Sequence, residues 1–429
     1  KADPAIAGMG DIDIRLQTGE TRDDKHFEAN LTFTTIDQLL SSYLFNPVSL
    51  PAGRIGNINA GALIGSLVVF DEFHLLEPGK AMDTAVEMLD RLVSGAPLAR
   101  FVLMTATLCT GTVEWLARKL DAEIVSLDRD EVAALPSHNG KRRHYRWIDR
   151  PLSIDDVVEN HGGGRTIVLA NTVDRAQRIY AELLSPECRL RFGPNTDFRL
   201  LHSRFLPEDR KAAEDCLASW FGPEPTHTDI VLVTTQVIEA GMDLSCDNLH
   251  TELAPMNALV QRAGRCARRK GEAGTVRIYA LETNDEGKTR LGPYRDRAAV
   301  IESTRATLAE WLPPPNVPVS YHDELEWVDR VHADEERAAL ERLENLNNHR
   351  RAVHEAMDNL NPNAARDLVR DVDSIDVIVT AAPESIDFNR RAWPRCISVP
   401  RTSLWSLGKL IDAGGVPWVV KAVREQDVE

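Results

Sequence analysis

The sequence predicts an α/β fold of two parallel-sheet units in tandem, followed by a mainly helical C-terminal region with a few strands. Between about residues 28 and 283, short apolar runs alternate with polar turns and longer amphipathic stretches, which is typical of parallel-sheet units. After residue 283, apolar residues recur at helical spacing. A chain of 429 residues is expected to form two or three domains.

The composition favours a globular protein in the cytoplasm. Hydrophobic residues make up 43% of the chain and charged residues 27%, and no apolar run approaches the roughly 20 residues of a membrane span. The six cysteines include no C-x-x-C pair, which argues against a cysteine zinc site and a disulfide framework and favours a reducing compartment. Because the net charge is −16, any contact with nucleic acid is expected from a local basic patch.

The two α/β units are predicted strand by strand. The first unit has predicted strands at 30–34, 66–70, 100–104 and 122–126 and a helix at 80–94. Turn-forming residues at 135–141 predict the end of this unit. The second unit has predicted strands at 165–170, 198–202, 229–233, 250–253 and 274–280. These limits predict domains at residues 1–140, 141–283 and 284–429.

The C-terminal region is predicted to be helical to about residue 370. The first helix is indicated by Val300, Ile301, Thr304, Leu308 and Leu312. The proline-rich segment 313–318 then predicts an extended linker. Two later apolar stripes are expected to face a core: Leu340, Leu343, Leu346, and then Val353, Met357, Leu360. Strands are predicted last, at 375–380, 396–399 and 416–420.

Polar residues follow two predicted strands of the first unit. Asp71 and Glu72 come directly after the strand at 66–70. Adjacent carboxylates at the carboxyl end of a parallel strand can hold Mg²⁺ and orient a water molecule. Thr105 and Thr107 follow the strand at 100–104, where small hydroxyl residues can couple two sites. Taken alone, Asp71 and Glu72 are better explained by a polar turn, and the two threonines can simply terminate their strand, so neither segment decides the function alone.

The second unit carries a basic segment in an otherwise acidic chain. Residues 261–270 include five basic residues and no acidic one. If this segment is a helix, Arg262, Arg265 and Arg268 share roughly one face and can bind one polyanion together. A solvated basic helix is the alternative. Upstream, Gly241 lets the backbone approach a ligand, and Asp243 can accept a hydrogen bond from a ribose hydroxyl.

Taken in order, these segments resemble the motor core of superfamily 2 helicases. Residues 71–74 resemble its Walker B box, 105–107 its motif III, 234–243 its motif V and 261–268 its motif VI. With the further segments 34–38, 170–173 and 201–205, the chain is similar to the helicase half of the CRISPR-associated helicase-nuclease of type I interference systems. The resemblance covers about residues 15–283 and implies two RecA-like domains, the first of them truncated.

The resemblance also implies roles for individual residues. Asp71 would hold Mg²⁺, and Glu72 would polarise the attacking water. Arg265 and Arg268 would act on the γ-phosphate of ATP as arginine fingers. Further contacts to ATP would come from His74, Gly241, Asp243 and Gln261. Single-stranded nucleic acid would lie along Thr35, Thr105, Thr107, Asn171, His202, Arg204 and Thr235.

The function implied by the resemblance is that of an ATP-dependent translocase on single-stranded DNA. It would unwind target DNA for degradation in CRISPR antiviral defence. The expected partners are single-stranded DNA, the RNA-guided surveillance complex and a nuclease domain outside this chain, and no membrane is expected. Two alternatives remain: a general superfamily 2 DNA or RNA helicase, and a catalytically inactive scaffold that binds nucleic acid.

One expected motif is missing from the sequence. No phosphate-cradling G-x-x-x-x-G-K-[ST] loop precedes Asp71. Gly287-Lys288-Thr289 does not replace it, because Glu282 stands in place of the first glycine and no apolar strand precedes it. Since the chain opens with Lys1 rather than Met, we expect that this loop and one strand were left out. Residues 1–429 alone are therefore predicted not to hydrolyse ATP.

A metal-dependent nuclease site is not expected within this chain. Such sites use several histidines and aspartates around an adjacent His-Asp pair. His322-Asp323 is one such pair, but no second cluster accompanies it at the spacing of metal ligands. His349 and His354 lie in a charged helical segment and are expected to be solvated.

Overall fold

The computed structural model describes residues 12–370, except 20, 49–55, 96, 137, 139, 240, 285 and 345–346, and the backbone of 374–378 and 396–400. Internal contacts divide the chain into two compact units. Unit 1 takes Lys1–Ser126 with His332–Val372, and unit 2 takes Leu127–Val331 with Asp373–Glu429. The predicted α/β fold class is confirmed, while the domain limits at 1–140, 141–283 and 284–429 stay a prediction.

The described elements are numbered here in chain order. The strands are β1 (Ile14–Gln17), β2 (Leu31–Thr34), β3 (Leu67–Phe70), β4 (Arg100–Leu103), β5 (Arg142–Pro151), β6 (Arg165–Leu169), β7 (Asp197–Leu201), β8 (Ile230–Thr234), β9 (Asn248–Glu252), β10 (Ala273–Ala280), β11 (Ser374–Ile378) and β12 (Cys396–Pro400). The helices are α1 (Ile36–Tyr43), α2 (Gly56–Gly61), α3 (Ala81–Val93), α4 (Thr110–Lys119), α5 (Arg129–Ala134), α6 (Ile154–His161), α7 (Val173–Leu183), α8 (Pro186–Arg189), α9 (Pro207–Phe221), α10 (Met256–Ala263), α11 (Ala298–Trp311), α12 (Tyr321–Glu344), α13 (Asn347–Asp358) and α14 (Pro362–Val369).

Unit 1 is built around the buried helix α3. Its strands form two parallel pairs, β1 with β2 and β3 with β4. The core joins α3 residues such as Met88 to Leu343, Val353 and Leu368 from the C-terminal helices. The predicted apolar stripes therefore do face a core, except that Leu360 is exposed and Leu346 lies outside the described residues.

Unit 2 contains a six-stranded parallel sheet in the order β5-β10-β9-β6-β8-β7. The central strands β6 and β8 are buried along their whole length. Apolar runs without alternation are typical of parallel strands covered on both faces, which explains why these two strands could be predicted from the sequence. Outside this sheet, β11 pairs with β12 in antiparallel fashion. These strands confirm the predictions at 375–380 and 396–399, whereas 416–420 lies outside the described residues.

The structure corrects two predictions about strands. Residues 122–126 form no strand, and Val125 is 88% exposed. This segment has β-branched residues but no neighbouring strand to share hydrogen bonds with, and pairing is what stabilises a strand. Conversely, β5 was not predicted because its sequence is mostly charged and contains no apolar run. It is formed because β10 pairs with it in parallel register from Ala273↔Arg142 onward.

Among the described residues, no helix is both long enough and apolar enough to span a membrane.

Candidate functional sites

The carboxylate pair of unit 1 lies at the carboxyl end of β3. Asp71 and Glu72 are both exposed, and the backbone N–H of Glu72 donates to Asp71 Oδ1 at 3.0 Å. Glu72 adopts a left-handed conformation with φ 51° and ψ 47°. A residue other than glycine in this region is strained, and such strain is common at functional sites. Next to it, the buried Phe73 anchors the turn through its backbone bond to Met104 and its edge-on contact with Phe70.

His74 connects this turn to the end of β4. Its Nδ1 lies 3.2 Å from Thr105 Oγ1, and the backbone N–H of Ala106 donates to the same nitrogen at 3.5 Å. Its Nε2 lies 3.5 Å from Glu72 Oε2. Burial lowers the pKa of His74 to about 4, so the ring is neutral near pH 7. A neutral ring that accepts at Nδ1 must carry its proton at Nε2, which faces Glu72.

The three predicted nucleic-acid contacts of unit 1 differ in exposure. Thr35 is exposed and occupies the N-cap position of α1. Thr105 is half-buried beside His74, whereas Thr107 is only 1% exposed. Thr107 Oγ1 has no hydrogen-bond partner among the described residues. In this conformation, Thr35 is the residue of the three that is most accessible to a ligand.

The sheet of unit 2 brings three predicted contacts together. Asn171, Thr235 and His202 follow the ends of β6, β8 and β7, which are direct neighbours in the sheet. The carboxyl ends of parallel strands lie at one edge, where ligands of open α/β sheets bind. The side-chain amide of Gln236 donates to the Asn171 carbonyl at 2.9 Å and ties two of these loops together.

The side chains at this edge are mostly buried. Asn171, Thr235 and His202 are each at most 5% exposed. The Asn171 amide donates to the Leu253 carbonyl at 2.8 Å, while its Oδ1 is buried without a hydrogen-bond partner among the described residues. The more accessible Arg204 forms an ion pair with Asp174 at 3.0 Å. Burial lowers the pKa of His202, and the charge of Arg204 adds to that effect.

The predicted arginine fingers do not lie on a helix. Helix α10 ends at Ala263, so Arg265 and Arg268 belong to the loop after it, which corrects the predicted common helical face. The Nε of Arg265 donates to the Ile238 carbonyl at 2.8 Å, and its Nη2 donates to the Glu239 carbonyl. These bonds join the loop after α10 to the loop after β8.

Arg268 makes a second connection between the same two loops. Its Nε donates to Asp243 Oδ1 at 2.7 Å, and the Arg269 guanidinium lies 3.4 Å from the other carboxylate oxygen. Burial raises the pKa of Asp243, but the Arg268 hydrogen bond and both positive charges outweigh it and lower the pKa. Gly241 is exposed with φ 79°, and Gln261 is half-buried in the last turn of α10.

Arg262 was expected to share a polyanion-binding face with Arg265 and Arg268, but it is fully buried and its guanidinium binds protein groups instead. Its guanidinium donates to Glu239 Oε1 at 2.7 Å, to Thr251 Oγ1 at 2.9 Å and to Tyr294 Oη at 2.9 Å, and it also reaches the Glu252 carbonyl at 3.1 Å. The sequence did contain a signal for a buried arginine, because a basic segment beside a buried strand needs hydrogen-bond acceptors for its guanidinium groups. It did not show which arginine would be buried, since that depends on where α10 ends.

The adjacent residues His322 and Asp323 lie at the start of α12 and form hydrogen bonds there. Asp323 Oδ2 accepts from the backbone N–H and the hydroxyl of Ser320, and its Oδ1 accepts from Arg129 at 3.1 Å. His322 Nε2 lies 3.2 Å from the Leu127 carbonyl. Within the described part of the chain, no cluster of three or more His, Cys, Asp or Glu side chains could hold a metal ion by itself.

Comparison with known proteins links this geometry to one family. Residues 162–271 match the family model described as CRISPR-associated nuclease/helicase Cas3, C-terminal. A putative CRISPR-associated nuclease/helicase Cas3 of Methanocaldococcus jannaschii is 26% identical over 72% of this chain and 41% of its own length. A CRISPR-associated helicase Cas3 of Thermoproteus tenax is 28% identical over 71% of this chain and 49% of its own length. The chain thus spans less than half the length of these two relatives.

Solved structures share the fold. The crystal structure of T. fusca Cas3-ATP superposes with a TM-score of 0.63 at 21% identity, covering 91% of this chain and 55% of that chain. A CRISPR RNA-guided surveillance complex in a pre-nicking state contains a chain with a TM-score of 0.53 at 20% identity, covering 82% of this chain and 48% of that chain. The family model, the relatives and the shared fold together make this chain similar to the helicase part of Cas3-type CRISPR-associated proteins.

Proposed function

We propose that this chain is the motor part of an ATP-dependent translocase that moves on single-stranded DNA and unwinds target DNA for degradation in type I CRISPR interference. It acts in the cytoplasm on DNA that an RNA-guided surveillance complex has opened. A nuclease domain outside this chain degrades the released strand.

The observation that carries this proposal is the set of hydrogen bonds between two loops of unit 2, the loop after α10 and the loop after β8. Arg265 holds two carbonyls of the loop after β8, and Arg268 holds Asp243 of the same loop. Arg268 is 41% exposed and so remains available for a new anionic partner, such as a γ-phosphate. Guanidinium groups that meet a transferring phosphoryl group accelerate hydrolysis by roughly 10³ to 10⁵. A solvated basic helix, the alternative interpretation, would not bury Arg262 and Arg265.

The residues of unit 1 fit ATP with Mg²⁺. Asp71 offers an exposed carboxylate at a strand end and forms no ion pair with any other described residue. Mg²⁺ is commonly held by one or two carboxylates together with substrate phosphates, so a cluster of protein ligands is not required. A bound ion would neutralise charge on the phosphate oxygens. Glu72 would orient the attacking water, with its own position set by the strained turn and by the neutral His74.

The edge of the unit 2 sheet fits a strand of nucleic acid bound mainly through its backbone. Three neighbouring loops end at this edge, and Arg204 supplies a positive charge there. Contacts of this kind give affinity without reading sequence. The surveillance-complex structure that shares this fold supports the assignment of a CRISPR partner over a general helicase role.

The test is an assay of ATP hydrolysis and strand separation with the intact protein and single-stranded DNA. Unmodified protein should hydrolyse ATP in a DNA-stimulated reaction. Glu72→Gln should bind ATP nearly as well but lose at least about 10²-fold in kcat, because it removes the water-orienting carboxylate and keeps Asp71. Nucleotide binding is measured separately by fluorescence of a labelled ATP analogue.

The matched control is Glu77→Gln, the same chemical change at an exposed residue a few positions away. It should leave kcat unchanged. ATP hydrolysis by Glu72→Gln within about threefold of the unmodified protein would show that Glu72 is not the catalytic carboxylate. Absence of any DNA-stimulated hydrolysis by the intact, unmodified protein would favour the scaffold alternative.

A further inference from the structure

A buried ionic contact joins the first turn of α12 to strand β5. Arg143 Nη1 donates to Glu324 Oε1 at 2.5 Å, and the hydroxyl of Tyr145 donates to the same oxygen at 2.6 Å. The side chains of Arg143 and Glu324 are only 9% and 6% exposed. Burial alone would lower the pKa of Arg143, but the Glu324 carboxylate outweighs it and keeps the guanidinium charged.

The same guanidinium has a second partner, which lies in the candidate nucleotide site. Arg143 Nε donates to the backbone carbonyl of Cys266 at 3.0 Å. Cys266 stands between Arg265 and Arg268 and is fully buried. A buried carbonyl without a donor is energetically costly, so the position of this loop depends on the guanidinium of Arg143.

The loop after α10 is also held by backbone hydrogen bonds to Cys246. The Cys246 N–H donates to the Arg265 carbonyl, and the Ala267 N–H donates to the Cys246 carbonyl, both at 2.9 Å. Gly274 of β10 permits the close approach, since a Cβ there would lie 2.6 Å from Cys266 Sγ. Ala267 takes a left-handed conformation with φ 45°. The loop is therefore a fixed, slightly strained structure, and Arg143 supports it through the Cys266 carbonyl.

The start of α12 is itself well anchored in unit 2. Ser320 and Asp323 form reciprocal capping bonds, and Arg129 pairs with Asp323. The Trp327 ring packs edge-on against Tyr145, with 5.4 Å between the ring centroids. Glu324 is thus presented to Arg143 from a rigid helix end, which is the arrangement that places a side chain with the precision catalysis needs.

We propose that Glu324 and Arg143 are positioning residues for ATP hydrolysis: they fix the loop that carries Arg265 and Arg268, so that the first turn of α12 belongs to the nucleotide-hydrolysing machinery of unit 2. This inference rests on the proposed function. Neither residue touches the nucleotide. Their effect is transmitted through the Cys266 carbonyl to the two neighbouring arginines.

The first test compares kcat and KM in the intact protein. Arg143→Lys keeps a positive charge for Glu324 but loses the fork that reaches two acceptors at once. A small displacement of a catalytic group can cost up to about 10²-fold in rate, so Arg143→Lys and Glu324→Gln should each lower kcat by about tenfold. KM for ATP should change by less than about twofold, because the fingers act on the transition state. Glu326→Gln, an exposed residue on the same helix, is the matched control and should leave both constants unchanged.

A second variant separates positioning from stability. Replacing a buried ion pair by apolar residues of similar size is often neutral or stabilising. The double variant Arg143→Met, Glu324→Leu should therefore melt at a higher temperature than Glu324→Gln, which leaves the buried Arg143 charge unpaired, yet keep the low kcat because Cys266 still lacks its donor. In residues 1–429, its Ala267 and Arg268 amides should exchange with solvent faster, while exchange in β6 and β8 stays unchanged.

Each outcome bears on a different claim. If the unmodified intact protein hydrolyses ATP and the double variant does so at the same kcat, the positioning role is overturned while the proposed function stands. Unchanged amide exchange at Ala267 and Arg268 would overturn it on structural grounds alone. If the unmodified protein hydrolyses no ATP, the proposed function fails and this inference fails with it.

Discussion

Arg262 Nε donates to Glu239 Oε1 at 2.7 Å, and the Arg262 side chain is 0% exposed. The contact joins the last turn of α10 to the loop after β8. The loop that follows α10 carries Arg265 and Arg268, the predicted arginine fingers, and the loop after β8 leads to Asp243, the predicted ribose contact. A buried guanidinium with every partner in place is stable, but it tolerates little change because each lost bond leaves an acceptor unsatisfied.

Arg262→Lys should therefore destabilise unit 2. Lysine retains the charge but cannot reach Glu239, Thr251 and Tyr294 together, so the free energy of unfolding should fall by about 3 kcal/mol. Thermal and urea unfolding of residues 1–429 measure this. Arg295→Lys, the same change at an exposed arginine, should leave the melting temperature unaltered. Equal melting temperatures for the two variants would mean that the buried bonds contribute nothing to stability.

Asp156 should give unit 2 an acid-sensitive contribution to stability. Burial raises its pKa, but bonds from Arg150 and Ser153 outweigh this and lower the pKa to about 2. A carboxyl whose pKa is lower in the folded state stabilises the fold above its unfolded pKa, near 4, and this stabilisation is lost as the pH falls towards 2. Asp156→Asn should therefore lower the melting temperature at pH 7 and have little effect at pH 2.

The control for this prediction is Glu159→Gln, an exposed carboxylate on the same helix. Its melting temperature should follow that of the unmodified protein across the whole pH range. A destabilisation by Asp156→Asn that is equally large at pH 2 would contradict the assignment to the ionised carboxylate.

Binding of the intact protein to single-stranded DNA should weaken steeply with salt and show little preference for sequence. Phosphate contacts release condensed counterions, so the logarithm of affinity should fall linearly with the logarithm of salt concentration. Arg204→Ala should make that slope shallower by about one. Arg305→Ala, at a surface pair with Glu302 on α11, should leave the slope unchanged. A flat titration would argue against the proposed DNA-binding edge.

Residues 1–429 on their own should not hydrolyse ATP, even with DNA present. The backbone cradle and lysine of a phosphate loop hold the β- and γ-phosphates, and residues 1–429 contain no such motif. Phosphate release is measured against a reaction without protein. DNA-stimulated release that Glu72→Gln abolishes would overturn this prediction and would mean that another segment of the chain binds the phosphates.

The sequence alone was sufficient wherever the signal is local. The apolar runs of β6 and β8 predicted buried parallel strands, because a strand covered on both faces needs apolar residues throughout. Asp71, Asn171 and His202 could each be placed at the end of a strand for the same reason. Their roles in binding stay a prediction, since strand ends carry polar residues in many proteins.

The tertiary structure decided what depends on partners distant in the chain. Residues 122–126 form no strand for lack of a neighbour, whereas the charged β5 is a strand because β10 offers one. The end of α10 at Ala263 places Arg262 in the interior and Arg265 and Arg268 in a loop. The bond from Arg143 to Cys266 joins residues 123 positions apart. Hydrophobic periodicity reports the burial of an element, but the partner of a buried charge is set only when the elements pack together.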